Sequence, residues 1–149
     1  MADEDGIFWS ATEEPHPARD LSRASMRAVA RGDKQAWVAL FAEDGFVADP
    51  VGPSMFDPEG HGHHGRTAIA AFWDTAIAQA ERIEFHIADS FAAGDESANV
   101  GLIRTFLGDG SCMDAEGVFV YRSAGGGLLH SMRAFWEVDR AMATLRQAD

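Results

Sequence analysis

Beyond residue 80 the sequence becomes four long β-rich runs, 82–92, 97–107, 113–122 and 128–139. The separators are Ala93-Gly94-Asp95-Glu96, Gly108-Asp109-Gly110, and a stretch from Ser123 that contains Gly125-Gly126-Gly127. These are turn compositions, too short to carry a crossover, so successive strands must pair antiparallel as a meander. The segments before the meander have to cover one face of it.

Those segments are mostly helical. Asp20 is a suitable N-cap for a first helix in which Leu21, Ser25, Ala28 and Val29 share a face, and Gly32 is its natural stop. Asp33 caps a shorter helix that places Trp37, Leu40 and Phe41 on one side. A short apolar strand, 45–48, then ends at Asp49-Pro50, because Pro50 cannot donate to a sheet and holds Asp49 extended. A long loop, 51–65, includes Pro53 and Pro58, and loops of this length tend to form site walls or lids. The clearest helix follows, with Ile69, Phe72, Trp73, Ala76, Ile77 and Ala80 as one buried stripe. Residues 1–17 read as an acidic extension whose apolar knot, Ile7-Phe8-Trp9, docks on the body of the protein. The order of elements gives an α+β fold, a curved antiparallel sheet wrapped around three N-terminal helices, with the mouth of the resulting cone as the ligand pocket.

Composition narrows the function. A chain of 149 residues suits a single domain spanning 1–149. With 24 acidic against 12 basic residues the net charge is -12, which disfavours nucleic acid and anionic membranes as partners. No apolar run approaches the roughly 20 residues of a membrane span. The one cysteine, Cys112, has no internal partner and no neighbouring His or Lys, so it reads as structural. The acidic N-terminus differs from a basic signal peptide, and the expected location is the cytoplasm. No Ser-His-Asp motif, phosphate-binding glycine loop or paired-cysteine site is present. His61, His63 and His64 lie in a glycine-spaced loop, where adjacent side chains rarely converge on one ion without a partner elsewhere, so no metal is expected and a solvated or lid role is favoured over substrate contact.

Asp49 stands out chemically. A carboxylate held at the end of an apolar strand beside a cavity mouth loses part of its hydration and becomes a stronger base than in water. An Asp ahead of a Pro is also a common turn former, and the residues alone leave both readings open.

Phe46-Val47-Ala48-Asp49-Pro50-Val51-Gly52, followed by His64-Gly65-Arg66 and Ile69-Ala70-Ala71-Phe72-Trp73, resembles the ketosteroid isomerase branch of the nuclear-transport-factor-2-like (SnoaL-like) superfamily. Met132-Arg133-Ala134-Phe135-Trp136 resembles the last long strand of that branch. The resemblance implies a cystatin-like cone, a homodimer, no cofactor and a hydrophobic, steroid-like small-molecule ligand. It also implies a role for Asp49, which would remove a proton beside a ketone and return it two carbons along.

The resemblance further implies an oxyanion hole built from a tyrosine and a protonated aspartate. By spacing, those positions fall on Ser25 and Gly117, and two supporting tyrosines fall on Phe41 and Trp73. The single tyrosine, Tyr121, is expected away from these positions. Candidate replacement donors are Ser25, Trp136, Trp73 and His86; a one-residue register error would bring in Glu116, although Asp114 and Glu116 alternate as outward residues. Phe41, Phe72, Trp73, Met132, Ala134 and Gly117 are expected to line the pocket. Two other functions fit the same cone. One is binding of a steroid or other flat apolar molecule without turnover. The other is a polyketide cyclase or epoxide hydrolase, for which Arg104 is the charged candidate within an otherwise apolar strand.

Overall fold

A computed structural model describes residues 6–149. The N-terminal knot is strand β1 (Ile7–Trp9), and Ile7 is fully buried. The rest of the expected extension before Gly6 lies outside the described residues. Helix α1 (Pro17–Arg31) starts earlier than the Asp20 cap implied. Pro17 takes the first helical position, where no N–H is needed, and the His16 ring accepts the Ala18 N–H at 3.1 Å. Gly32, at φ 72°, closes the helix as expected, and Asp33 caps α2 (Lys34–Ala39).

Strand β2 (Phe41–Ala48) begins at Phe41 rather than residue 45. Phe41 therefore leaves the α2 face on which the sequence placed it, because pairing with Leu129 outweighs helical propensity there. After the loop, β3 (His63–His64) pairs with β2. Helix α3 (Arg66–Phe72) continues into a π-helical turn, Trp73–Ile77, in which the Ala78 N–H bonds the Trp73 carbonyl at 2.8 Å. The expected stripe buries Ile69, Phe72 and Trp73, but the wider turn shifts the residues beyond them and leaves Ala76, Ile77 and Ala80 only partly covered.

The meander forms as expected: β4 (Arg82–Ala93), β5 (Glu96–Phe106), β6 (Ser111–Gly125) and β7 (Leu128–Phe135) pair antiparallel in sequence order. The last run stops at Phe135 instead of 139 and gives way to α4 (Val138–Met142) and β8 (Arg146–Gln147). The sheet order is β1-β4-β5-β6-β7-β2-β3, with β2 parallel to β7 and β8 on β6. Among the described residues no helix is long and apolar enough to cross a membrane.

Two glycines bend this sheet into a cone. Gly101 and Gly117 are direct partners across β5 and β6. A Cβ on Gly101 would sit 2.0 Å from the His86 carbonyl oxygen, and one on Gly117 2.0 Å from that of Phe135. The β4–β5 register slips nearby, between Ile87 and Asp89. Adjacent strands can cross this closely only where side chains are missing, so the bend runs from β4 to the end of β7 along that line. On the concave side Trp37 anchors the core, edge-on to Phe41 at 5.2 Å and 5.5 Å from Trp73 between ring centres.

Candidate active site

Strand register places the functional side chains. Val47 pairs with Met132, and Met132 pairs with Tyr121, so the three share a row on the inner face. The next row, Ala48, Arg133 and Val120, faces outward. Asp49, one residue past β2, returns to the inner face. It meets a cavity of about 250 Å³ between sheet and helices, with apolar walls that include Phe72, Ile103, Met113 and Phe119. Phe56 from the long loop completes one wall, as expected for a loop of that length. Among the described residues Asp49 is the only charged side chain on this lining.

The Asp49 carboxylate accepts a hydrogen bond at Oδ1 from the Trp136 indole N–H at 2.7 Å. Asp49 is half-buried and lines the cavity. Two effects act on its acidity. Burial strips water from the charged form and raises the pKa, whereas the Trp136 hydrogen bond favours the carboxylate and lowers it; burial is larger, and the pKa lies above the ordinary aspartate value.

Tyr121 shares the cavity and is almost wholly buried, which corrects the expectation that it lies elsewhere. Its pKa is raised, first by burial and then by the Asp49 charge, against a hydrogen bond with Ser25. The phenol therefore stays protonated at neutral pH. Ser25 Oγ in turn accepts the Trp37 Nε1–H at 3.0 Å.

Of the expected site residues, Ser25, Phe72, Met132 and Trp136 gather with Asp49 around the cavity. Trp136 differs in role, since its single N–H is given to Asp49 and is not available to a ligand oxygen. Phe41 and Trp73 belong to the core packed on Trp37, behind the cavity wall. Ala134 faces inward but is fully buried, its methyl too short to reach the void. Gly117 does not line the cavity either, because the Phe135 carbonyl and the Trp136 Cβ occupy the space beside it.

His86 lies on the opposite face, stacked on Phe8 at 4.2 Å with Nε2 3.0 Å from Glu84. Arg104 also points outward and holds Asp114 through two hydrogen bonds of 2.7 and 3.1 Å, so it cannot serve a water-activating relay in the cavity. Glu116 is exposed and bonded to Arg140, as the alternation implied. The loop histidines diverge, with His63 packed on Phe72 and His64 stacked on Phe46. Sequence reasoning missed Tyr121 and the β5–β6 wall of Ile103, Thr105 and Met113. The alternation that turned Asp114 and Glu116 outward also turned Ala115, Phe119 and Tyr121 inward.

The SnoaL-like domain family matches residues 22–130 of the chain. Comparison with the curated proteins gave no match. The fold is similar to that of RV0760c from Mycobacterium tuberculosis, at 32% identity over 92% of this chain and 100% of that one, with a TM-score of 0.81. The same protein in complex with estradiol-17beta-hemisuccinate matches at 33% identity over 89% and 99% of the two chains, with a TM-score of 0.78. The Delta 5-3-ketosteroid isomerase from a Mycobacterium sp. matches at 32% identity over 90% and 100%, with a TM-score of 0.79.

Proposed function

The chain belongs to the SnoaL-like domain family, and on that premise we propose that it moves a proton within a 3-oxo-steroid or similar hydrophobic enone, with Asp49 as the general base. The observation that carries this reading is a single carboxylate, made more basic by burial, on the wall of an otherwise apolar cavity. A void of this size exceeds the roughly 150 Å³ cavity that admits benzene and suits a flat, apolar molecule. Asp49 removes the proton on the carbon beside the ketone, and the C–H electron pair moves into an enolate whose charge rests on the ketone oxygen. The carboxyl group, now protonated, returns the proton two carbons along, and the double bond ends conjugated with the restored ketone. One group thus serves as base and then acid, and the chemistry asks for no electron acceptor.

The relatives' ligand and activity support the substrate class, an estradiol derivative in one case and a Δ5-3-ketosteroid in the other. A homodimer fits the same reading. Val100, Val118 and Phe135 form one cross-strand row on the outer face, with Val100 and Phe135 exposed, and a second copy would cover that row.

The direct test mixes the protein with a Δ5-3-ketosteroid and follows the absorbance of the conjugated enone. Turnover above the buffer rate is the expected result. Binding detected by tryptophan fluorescence with no turnover would overturn the isomerase reading and leave a steroid-binding protein.

A further inference from the structure

We propose that Tyr121 is the donor that holds the ligand's oxygen in this cavity, oriented for that task by a relay from Trp37 through Ser25. The inference deepens the isomerase reading and rests on it for the catalytic part. The binding part stands on the cavity alone.

The relay has a direction. The Trp37 indole can only donate, and it donates to Ser25 Oγ. The Ser25 hydroxyl keeps one proton to give, and its side-chain partner is Tyr121. With the phenol oxygen accepting from Ser25, the Tyr121 O–H points its own proton away from the relay. Both Ser25 and Tyr121 line the cavity, so that proton is presented to whatever fills it. Trp37 and Ser25 are both almost fully buried, and water does not compete for either link.

The Trp136 N–H is engaged by Asp49, and the Thr75 hydroxyl and the Gln79 amide, which also line the cavity, donate to the Ala71 and Asp74 carbonyls. Thr105 lies on the β5 wall and, among the described residues, has no such link to the Trp37–Ser25 pair. A base at Asp49 and a donor at Tyr121 stand in neighbouring rows of the same inner face, close enough for the Asp49 charge to be felt at the phenol. A flat ketone between them can meet the carboxylate at carbon and the phenol at oxygen. As the C–H bond breaks, the electron pair displaced onto oxygen is received by the Tyr121 hydrogen bond without full proton transfer. Ser25 and Trp37 are then positioning residues, which do not touch the ligand oxygen but keep the phenol in a donating orientation.

The experiment has two arms, run on wild type, Tyr121→Phe and Ser25→Ala, with near-UV circular dichroism to verify the fold of each. In the first, equilenin, a steroid with a phenolic ring, is titrated while its absorption and fluorescence are recorded. Tyr121→Phe, which keeps the ring and removes only the hydroxyl, is expected to lose the bound-state spectral shift and bind about tenfold more weakly. Ser25→Ala should fall between the two. An unchanged spectrum and affinity in Tyr121→Phe, or no binding to the wild type, overturns the proposal.

The second arm measures isomerisation, where kcat of Tyr121→Phe is expected to fall about a hundredfold with little change in KM. Wild-type turnover with full kcat in Tyr121→Phe overturns the role of Tyr121 and leaves the isomerase reading standing. No wild-type turnover, with the spectral shift lost in Tyr121→Phe, overturns the isomerase reading and retains Tyr121 as the oxygen donor.

Discussion

Asp49→Asn is expected to lower isomerase turnover by about three orders of magnitude, the middle of the range for loss of a positioned base, and at the same time to raise the unfolding midpoint at neutral pH. The amide cannot take a proton from carbon, yet it can keep the hydrogen bond from Trp136 through its own oxygen. The gain in stability follows from the direction of the pKa shift. Burial raises the folded-state pKa of Asp49, so between its ordinary and raised values the folded chain binds more protons than the unfolded one. Wild-type stability therefore falls as pH rises through that interval and stays lower above it. Asparagine has no proton to lose, and the difference in midpoint should be absent in acid, grow through the interval and level off near neutrality. Thermal melts across pH, paired with the steroid assay, check both parts. A variant that melts lower than wild type at neutral pH, or that keeps full turnover, contradicts the account. The same shift predicts an acidic limb in the pH–rate profile above the usual carboxylate range, because only the ionised form is a base.

Gly117→Ala should destabilise the protein by about 3 kcal/mol, toward the upper end of what forcing a methyl into a filled space costs. The added Cβ would lie 2.0 Å from the Phe135 carbonyl oxygen and 3.2 Å from the Trp136 Cβ. The first neighbour is backbone and cannot rotate away, so the end of β7 has to move. That movement carries Trp136 with it and loosens its hydrogen bond to Asp49. The expected outcome is a lower denaturation midpoint together with a pH–rate limb displaced upward, since the carboxylate loses a donor. Chemical denaturation and the pH–rate profile read the two effects separately. Wild-type stability in this variant would mean that the bend does not depend on the missing side chain.

The fold was largely legible because its strongest signals are local. Turn glycines marked the meander, and Gly32 and Asp33 marked one helix end and the next helix start. Where pairing partners lie far apart in sequence, local signals failed: Phe41 joins a strand because Leu129 is there, and the wide turn after Phe72 left no mark in the hydrophobic period. In the site, Asp49 was readable from its proline and its apolar strand. Gly117 was misplaced because spacing counted back along one strand ignores the crossing strand that fills the position. Tyr121 was missed although alternation with Asp114 and Glu116 puts it inside; its place depended on carrying parity along β6 rather than on matching a position on a helix. Trp136 was found, but its role was not, since the partner of an indole N–H is set by contact across 87 residues of sequence.

Carbon-13 resonances of the aspartate side chains, followed by NMR across pH with and without a steroid, report on the basicity of Asp49 itself. The Asp49 carboxyl is expected to titrate above the usual aspartate value of about 4, to shift again when the cavity is filled, and to move further up in Trp136→Phe, where its donor is gone. A midpoint at the usual value, indifferent to both steroid and Trp136, would describe an ordinary wetted side chain and would contradict Asp49 as the general base.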